Sequence, residues 1–198
     1  MRRLLAGAAV LLLLATGCTD DDSGPAGSAG PSRVDVDTPE LRALKQEIGV
    51  ETCVPGEGTD GALPELTLAC LGGGPDVDLA SLQGPLIVNF WYAACGPCRE
   101  EMPAIQEFHE RYGDQVPVVG VTKDIYPEFA LELARTTGAT YPQLADPGDD
   151  ISGTEIRPRG YPAFAFLTAD GEVEMTAGGI DSVEELVELV DAKLGIKL

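Results

Sequence analysis

An α/β sandwich, a central sheet between helices, is the fold class this sequence predicts, and three observations carry it. Leu86-Ile87-Val88-Asn89-Phe90-Trp91 is a nearly continuous apolar run, as expected of a central strand covered on both faces. Segments of helical periodicity alternate with such runs in the order β-α-β-α-β-β-α. Asp170-Gly171 stands between two strand-like segments, a strong hairpin signal. The 198 residues are 44% hydrophobic and 23% charged, an ordinary globular composition. A body of about 150 residues is long enough to bury roughly 68–70% of its unfolded surface.

Taken in order, residues 1–17 read as a signal peptide. Met1-Arg2-Arg3 is a positive n-region, and Leu4 to Ala15 is an uncharged run of h-region length. The run is shorter than the roughly 20 residues a membrane-spanning helix needs. Leu14-Ala15-Thr16-Gly17-Cys18 resembles the lipobox of bacterial lipoproteins, which implies lipidation at Cys18 and anchoring to the outer face of the cell membrane. Ordinary secretory cleavage nearby, with Cys18 incidental, is the alternative. Residues 18–37, rich in Ser, Gly, Pro, Ala and Asp, read as a flexible acidic tether. The cluster Asp20-Asp21-Asp22 fits a solvation device better than a metal site.

Residues 38–59 form an N-terminal extension. Thr38 and Pro39 suit the N-cap and first turn of a short helix through about Ile48, followed by a Gly/Pro-rich stretch with Cys53. The main domain, residues 60–198, opens with a strand near Leu66 to Leu71 and continues with the apolar run at 86–91. A helix over Gly96 to Tyr112 follows, then a buried strand at Val116 to Val121 and a helix at Pro127 to Thr136. Ala163 to Thr168 and Val173 to Ala177 flank the hairpin, and Ser182 to Leu194 is a closing amphipathic helix.

Charge removes some function classes. Lys and Arg number 13 against 33 Asp and Glu, a formal charge of −20. No basic surface is on offer to neutralise phosphates, so nucleic-acid binding is excluded, and anionic lipid would not attract the chain by charge alone.

The chemistry lies in Cys95-Gly96-Pro97-Cys98. Three helical residues rise 4.5 Å and turn 300°, which puts the two Cα atoms about 5 Å apart, inside the range a disulfide tolerates. The pair follows a buried strand, so Cys95 sits at a helix N-terminus, where free N–H groups and the dipole favour its thiolate. Cys98, one turn deeper, is shielded and acts second. A zinc site needs further Cys or His ligands, and only Cys53, Cys70 and His109 remain, the last assigned to the outer face of the helix. A purely structural disulfide across so short a loop would stabilise little. Reversible redox chemistry fits best.

The segment Asn89-Phe90-Trp91-Tyr92-Ala93-Ala94-Cys95-Gly96-Pro97-Cys98-Arg99-Glu100-Glu101-Met102-Pro103 resembles the active-site region of TlpA/ResA-type extracytoplasmic thioredoxin-like proteins. Pro103 matches the helix-kinking proline of thioredoxins, Gly160-Tyr161-Pro162 the cis-proline that helps bind the partner backbone, and Phe166 to Gly171 the hairpin after it. The resemblance covers roughly residues 60–196. It implies a thioredoxin-like fold with a central mixed sheet flanked by helices.

It also implies roles. Cys95 and Cys98 are the redox pair. Asn89 stands where cytoplasmic thioredoxins carry a buried Asp. Glu101, six residues after the first Cys, fits a position that some tethered relatives use for proton transfer; a solvated first-turn carboxylate is the alternative. Trp91, Gly96, Pro97, Tyr161 and Pro162 are candidates for holding the partner, with core packing an equal alternative for Trp91. Ala94 replaces the Trp that often precedes the first Cys, leaving a less aromatic docking surface.

Cys53 and Cys70, 17 residues apart in an oxidising compartment, predict a structural bridge pinning the extension to the sheet. Two free thiols are the alternative. The odd count of five is then one lipidated Cys, one structural pair and one redox pair.

In the expected mechanism Cys95 attacks a partner disulfide and Cys98 resolves the mixed disulfide. No cofactor or metal is expected beyond the redox disulfide itself. The expected partners are protein thiols and disulfides and a membrane electron donor of the thiol-disulfide type. The Gly-Pro dipeptide leans towards a reductant, with apocytochrome c a candidate substrate and oxidation of partners the alternative. A peroxidase of the peroxiredoxin kind would want Pro and Thr/Ser where Val88 and Tyr92 stand. A copper carrier would want Cys spaced by three residues, with a reachable His or several Met.

Overall fold

The structure is a computed structural model and describes residues 34–58 and 61–198. The signal-peptide and lipidation assignments at 1–17 and Cys18, and most of the tether, lie outside the described residues. Val36, which the sequence assigns to the end of the tether, is buried against the domain.

The elements run α1 (Pro39–Ile48), β1 (Thr67–Cys70), β2 (Val77–Asp78), a 3₁₀ turn (Leu79–Ser81), β3 (Leu86–Trp91), α2 (Gly96–Tyr112), β4 (Val118–Thr122) and α3 (Pro127–Thr137). They continue with β5 (Gln143–Ala145), a second 3₁₀ turn (Asp150–Gly153), β6 (Ala163–Leu167), β7 (Val173–Ala177) and α4 (Val183–Leu194). Each start has a local cause. Thr38 Oγ1 accepts the Leu41 N–H and Ser182 Oγ accepts the Glu185 N–H, while Pro39 and Pro127 occupy first-turn positions. Among the described residues no helix is long and apolar enough to cross a membrane.

The described strands form one seven-stranded sheet in the order β2-β1-β5-β4-β3-β6-β7. β3 pairs parallel with β4, and β4 with β5; β3–β6, β6–β7, β5–β1 and β1–β2 are antiparallel. The sheet is therefore mixed. Every residue of β3 is buried, which explains its unbroken apolar run.

Alternate residues of β3 feed two cores. Ile87 and Trp91 meet Met102, Ile105 and Phe108 of α2, Leu131 of α3 and Leu186 of α4 in the first. Leu86, Val88 and Phe90 enter the second, with Leu63, Leu79, Leu82, Ile151 and Ile156. The second core contains no residue of α1 to α4. Helices were expected on both faces; instead the short strands, the 3₁₀ turns and the loops between them cover this one. Their scattered leucines and isoleucines supply enough apolar area without helical periodicity.

Candidate active site

Cys95 is the N-cap of α2, immediately beyond the C-terminal end of β3. Its Sγ accepts the Cys98 N–H at 3.2 Å, one of the backbone donors that a helix start leaves free. Cys95 and Cys98 are joined as a disulfide with Cα atoms 5.3 Å apart, close to the helical spacing. Cys95 keeps 4% exposure and Cys98 none, so the first sulfur is the reachable one. Gly96 and Pro97 are exposed beside it.

The floor of the site is polar and dry. Glu101, one turn below Cys98, is fully buried, which excludes a solvated carboxylate. Its Oε1 accepts the Asn89 amide at 2.8 Å, and its Oε2 closes no hydrogen bond. Burial pushes the carboxyl up to about 8, against the opposing pull of the Asn89 amide. Tyr141, also fully buried, donates its hydroxyl to Asn89 Oδ1 at 3.3 Å. Burial, helped by the neighbouring Glu101, raises the Tyr141 pKa well above the usual range.

The Tyr161–Pro162 peptide is cis. A Cβ built on Gly179 would stand 3.5 Å from both Pro162 Cγ and Glu101 Oε2, and 3.9 Å from Pro97 Cβ. A methyl at Gly179 would therefore meet the proline loop, the cysteine loop and the carboxyl together. Tyr161 forms one lip. Its ring meets Tyr92 edge-on at 5.4 Å, Lys123 Nζ lies 4.7 Å from its centroid, and its hydroxyl donates to Asp149 at 3.4 Å.

Three parts of this site were missed in the sequence. Asp124 accepts the Ala93 N–H at 2.8 Å and so holds the loop leading to Cys95; burial raises its pKa. Phe129 stands exposed across a shallow cleft from Ala93 and Ala94, with exposed Tyr126 5.5 Å from it. They put aromatic surface where Ala94 had suggested little. The third part is the Asn89–Tyr141 contact, which spans 52 residues.

Two placements are corrected. Trp91 is fully buried and donates its Nε1–H to Gln143 Oε1 at 2.9 Å, so it packs the core and reaches no partner. His109 is not on an outer face: its side chain is 16% exposed, its Nε2 is 2.8 Å from Glu51, and its ring packs by Tyr141. Cys53 and Cys70 are joined, Cα to Cα 5.7 Å, tying the extension to β1.

The AhpC/TSA family model matches residues 60–174. The thiol-disulfide oxidoreductase ResA of Halalkalibacterium halodurans is 31% identical over 124 residues, covering 59% of this chain and 69% of its own. Among solved structures, Mycobacterium tuberculosis DsbF superposes with a TM-score of 0.60 at 27% identity, covering 68% of this chain and 98% of that one. A secreted M. tuberculosis disulfide oxidoreductase homologous to E. coli DsbE gives 0.56 at 26% identity, covering 65% and 96%.

Proposed function

Because the chain belongs to the AhpC/TSA family and is a thiol-disulfide oxidoreductase of the ResA/DsbE type, we propose that it reduces protein disulfides through Cys95 and Cys98 outside the cytoplasm. The observation that carries this reading is a disulfide at the mouth of α2, one turn above a buried carboxyl.

The Cys95 thiolate, favoured by the helix N-terminus and the Cys98 N–H, attacks a partner disulfide and expels one partner thiolate. Cys98 then loses its proton to Glu101 and attacks Cys95 Sγ, releasing the second partner thiolate. At neutral pH only the ionised minority of Glu101, whose carboxyl burial pushes up to about 8, can take that proton, and the step ends with the disulfide closed and Glu101 protonated. The cysteine pair itself carries the two electrons, as a dithiol before the step, so this reading needs no dissociable cofactor. Exposed Gly96 and Pro97, with the Tyr161–Pro162 lip, hold the partner's backbone.

Recharging falls to a membrane dithiol donor, and lipidated Cys18 keeps the protein within its reach. That one structural relative is described as secreted supports the compartment. Apocytochrome c, which must be a dithiol before haem attachment, is the proposed substrate.

Insulin reduction tests the chemistry: activity lost in Cys95→Ser supports it. A redox titration tests the direction. A midpoint near the thioredoxin value of about −270 mV supports a reductant; one near the DsbA value of about −120 mV makes the protein an oxidant. Palmitate labelling that disappears in Cys18→Ala tests the anchor.

A further inference from the structure

Away from the exchange site, one buried lysine has no counter-ion among the described residues. Lys45 lies on the inward stripe of α1 at 5% exposure and donates to the Gly73 carbonyl at 2.8 Å and to Cys70 Sγ at 3.0 Å. Asp37, the carboxylate whose charge it feels, is paired with Arg42. Among the described residues no carboxylate lies within ion-pair distance of Lys45. Burying an ammonium against a neutral bridge is costly.

The two sulfurs of that bridge have opposite surroundings. Cys70 Sγ accepts a second donor, the Cys53 N–H at 3.2 Å. Both residues are nearly covered, Cys70 at 1% exposure and Cys53 at 2%. Cys53 Sγ instead faces an acceptor, the Gln143 carbonyl oxygen at 3.2 Å. Cys53 also lines an open cleft of about 670 Å³ with Val77, Leu144, Glu51 and His109. Two donors on one sulfur and an acceptor at the other suit a Cys70 thiolate beside a Cys53 thiol better than they suit a disulfide.

We propose that Cys53–Cys70 is a second redox couple, exchanging with low-molecular-weight thiols that reach Cys53 through this cleft. A small thiolate attacks Cys53 Sγ, the S–S bond breaks, and its electron pair leaves on Cys70, where Lys45 and the Cys53 N–H receive it. A second small thiolate attacks the adduct, forming a small-molecule disulfide and releasing Cys53, which takes up one proton. Two thiols are thus oxidised and the protein gains two electrons; of their two protons one stays on Cys53 and one goes to solvent. A stabilised leaving thiolate speeds the exchange and makes the bridge easier to reduce.

The test equilibrates the oxidised full chain in glutathione/glutathione-disulfide buffers, alkylates, and quantifies each cysteine by mass spectrometry, with Trp91 fluorescence reporting the fold. Cys53–Cys70 should open in the folded protein with its own midpoint, and an early glutathione adduct should map to Cys53. Lys45→Met should shift that equilibrium about tenfold or more towards the disulfide and leave the Cys95–Cys98 midpoint in place. Opening only in denaturant, an adduct on Cys70, or an unmoved equilibrium in Lys45→Met would each overturn the proposal. If Lys45→Met does not fold, the wild-type midpoint and adduct position decide.

Discussion

The two disulfides of this chain have nearly the same span, Cα to Cα 5.3 and 5.7 Å, and very different settings. Cys95–Cys98 closes a three-residue separation at a helix mouth and has a buried acid beneath it. Cys53–Cys70 closes 17 residues between an extension and the strand β1 and has a buried lysine against it. In the proposed chemistry the carboxyl, once ionised, takes up the proton that a resolving thiol must lose, and the ammonium pairs with the thiolate itself. The neighbour's charge, more than the span of the bond, sets what each pair can do.

The largest separation between the two pairs should appear in Cys98→Ala. Without the resolving thiol the protein stalls as a mixed disulfide, and insulin turnover should fall on the order of a thousandfold while a covalent partner adduct accumulates on non-reducing gels. Turnover close to wild type would place the chemistry elsewhere.

Glu101→Gln comes next. Free of the fold, a glutamate ionises near 4.5; here it holds its proton up to about 8. Below pH 4.5 both states are protonated and the group costs nothing. Between 4.5 and 8 the unfolded chain releases a proton that the folded chain keeps, so stability falls as pH rises, by about 1.4 kcal/mol per unit. Above 8 the loss is complete. Gln keeps the acceptor for Asn89 and cannot ionise, so denaturant melts of this variant from pH 5 to 8 should lack that fall. At pH 7 it should be the more stable protein by a few kcal/mol. Parallel slopes would mean the carboxyl is charged throughout.

Much of this comparison was legible in the sequence. The bounds of α2, the redox pair, the hairpin and the 53–70 pairing all rest on local spacing or on cysteine arithmetic. What escaped depends on long-range partners. Gln143–Ala145, between Pro142 and Pro147, is too short to show a period and becomes a strand only by lying between β4 and β1. Gly120 of β4 likewise depends on a distant partner: its missing Cβ makes room for the Gln143 side chain, whose oxygen would be 1.8 Å from a methyl there. That oxygen receives Trp91, which is why the tryptophan packs inward instead of facing a partner. Lys45 did leave a trace: it follows Leu41 by four residues and so falls on the apolar stripe of its own helix.

Removing the second bridge tests the other side of the comparison. Cys53→Ala/Cys70→Ala should lower unfolding stability by about 3 kcal/mol through the lost loop constraint, with insulin turnover within about twofold of wild type. A stability loss far below that would mean the extension is held by packing at Val36, Leu41 and Val50 alone.

The smallest expected effect concerns the helix starts. α1 is capped by Thr38, whose hydroxyl serves stability alone; α2 is capped by Cys95, whose sulfur has both to cap and to react. Sulfur is a weak acceptor, so the reactive helix gives up capping strength for nucleophilicity. Under reducing conditions Cys95→Ser should therefore be at least as stable as wild type, while Cys95→Ala should fall below Cys95→Ser by about 1 kcal/mol. Thr38→Ala should cost α1 a similar amount. Denaturant midpoints of the three variants measure this directly. Equal stability of Cys95→Ser and Cys95→Ala would mean that the Cys98 N–H draws nothing from its cap, and that the 3.2 Å contact serves the thiolate alone.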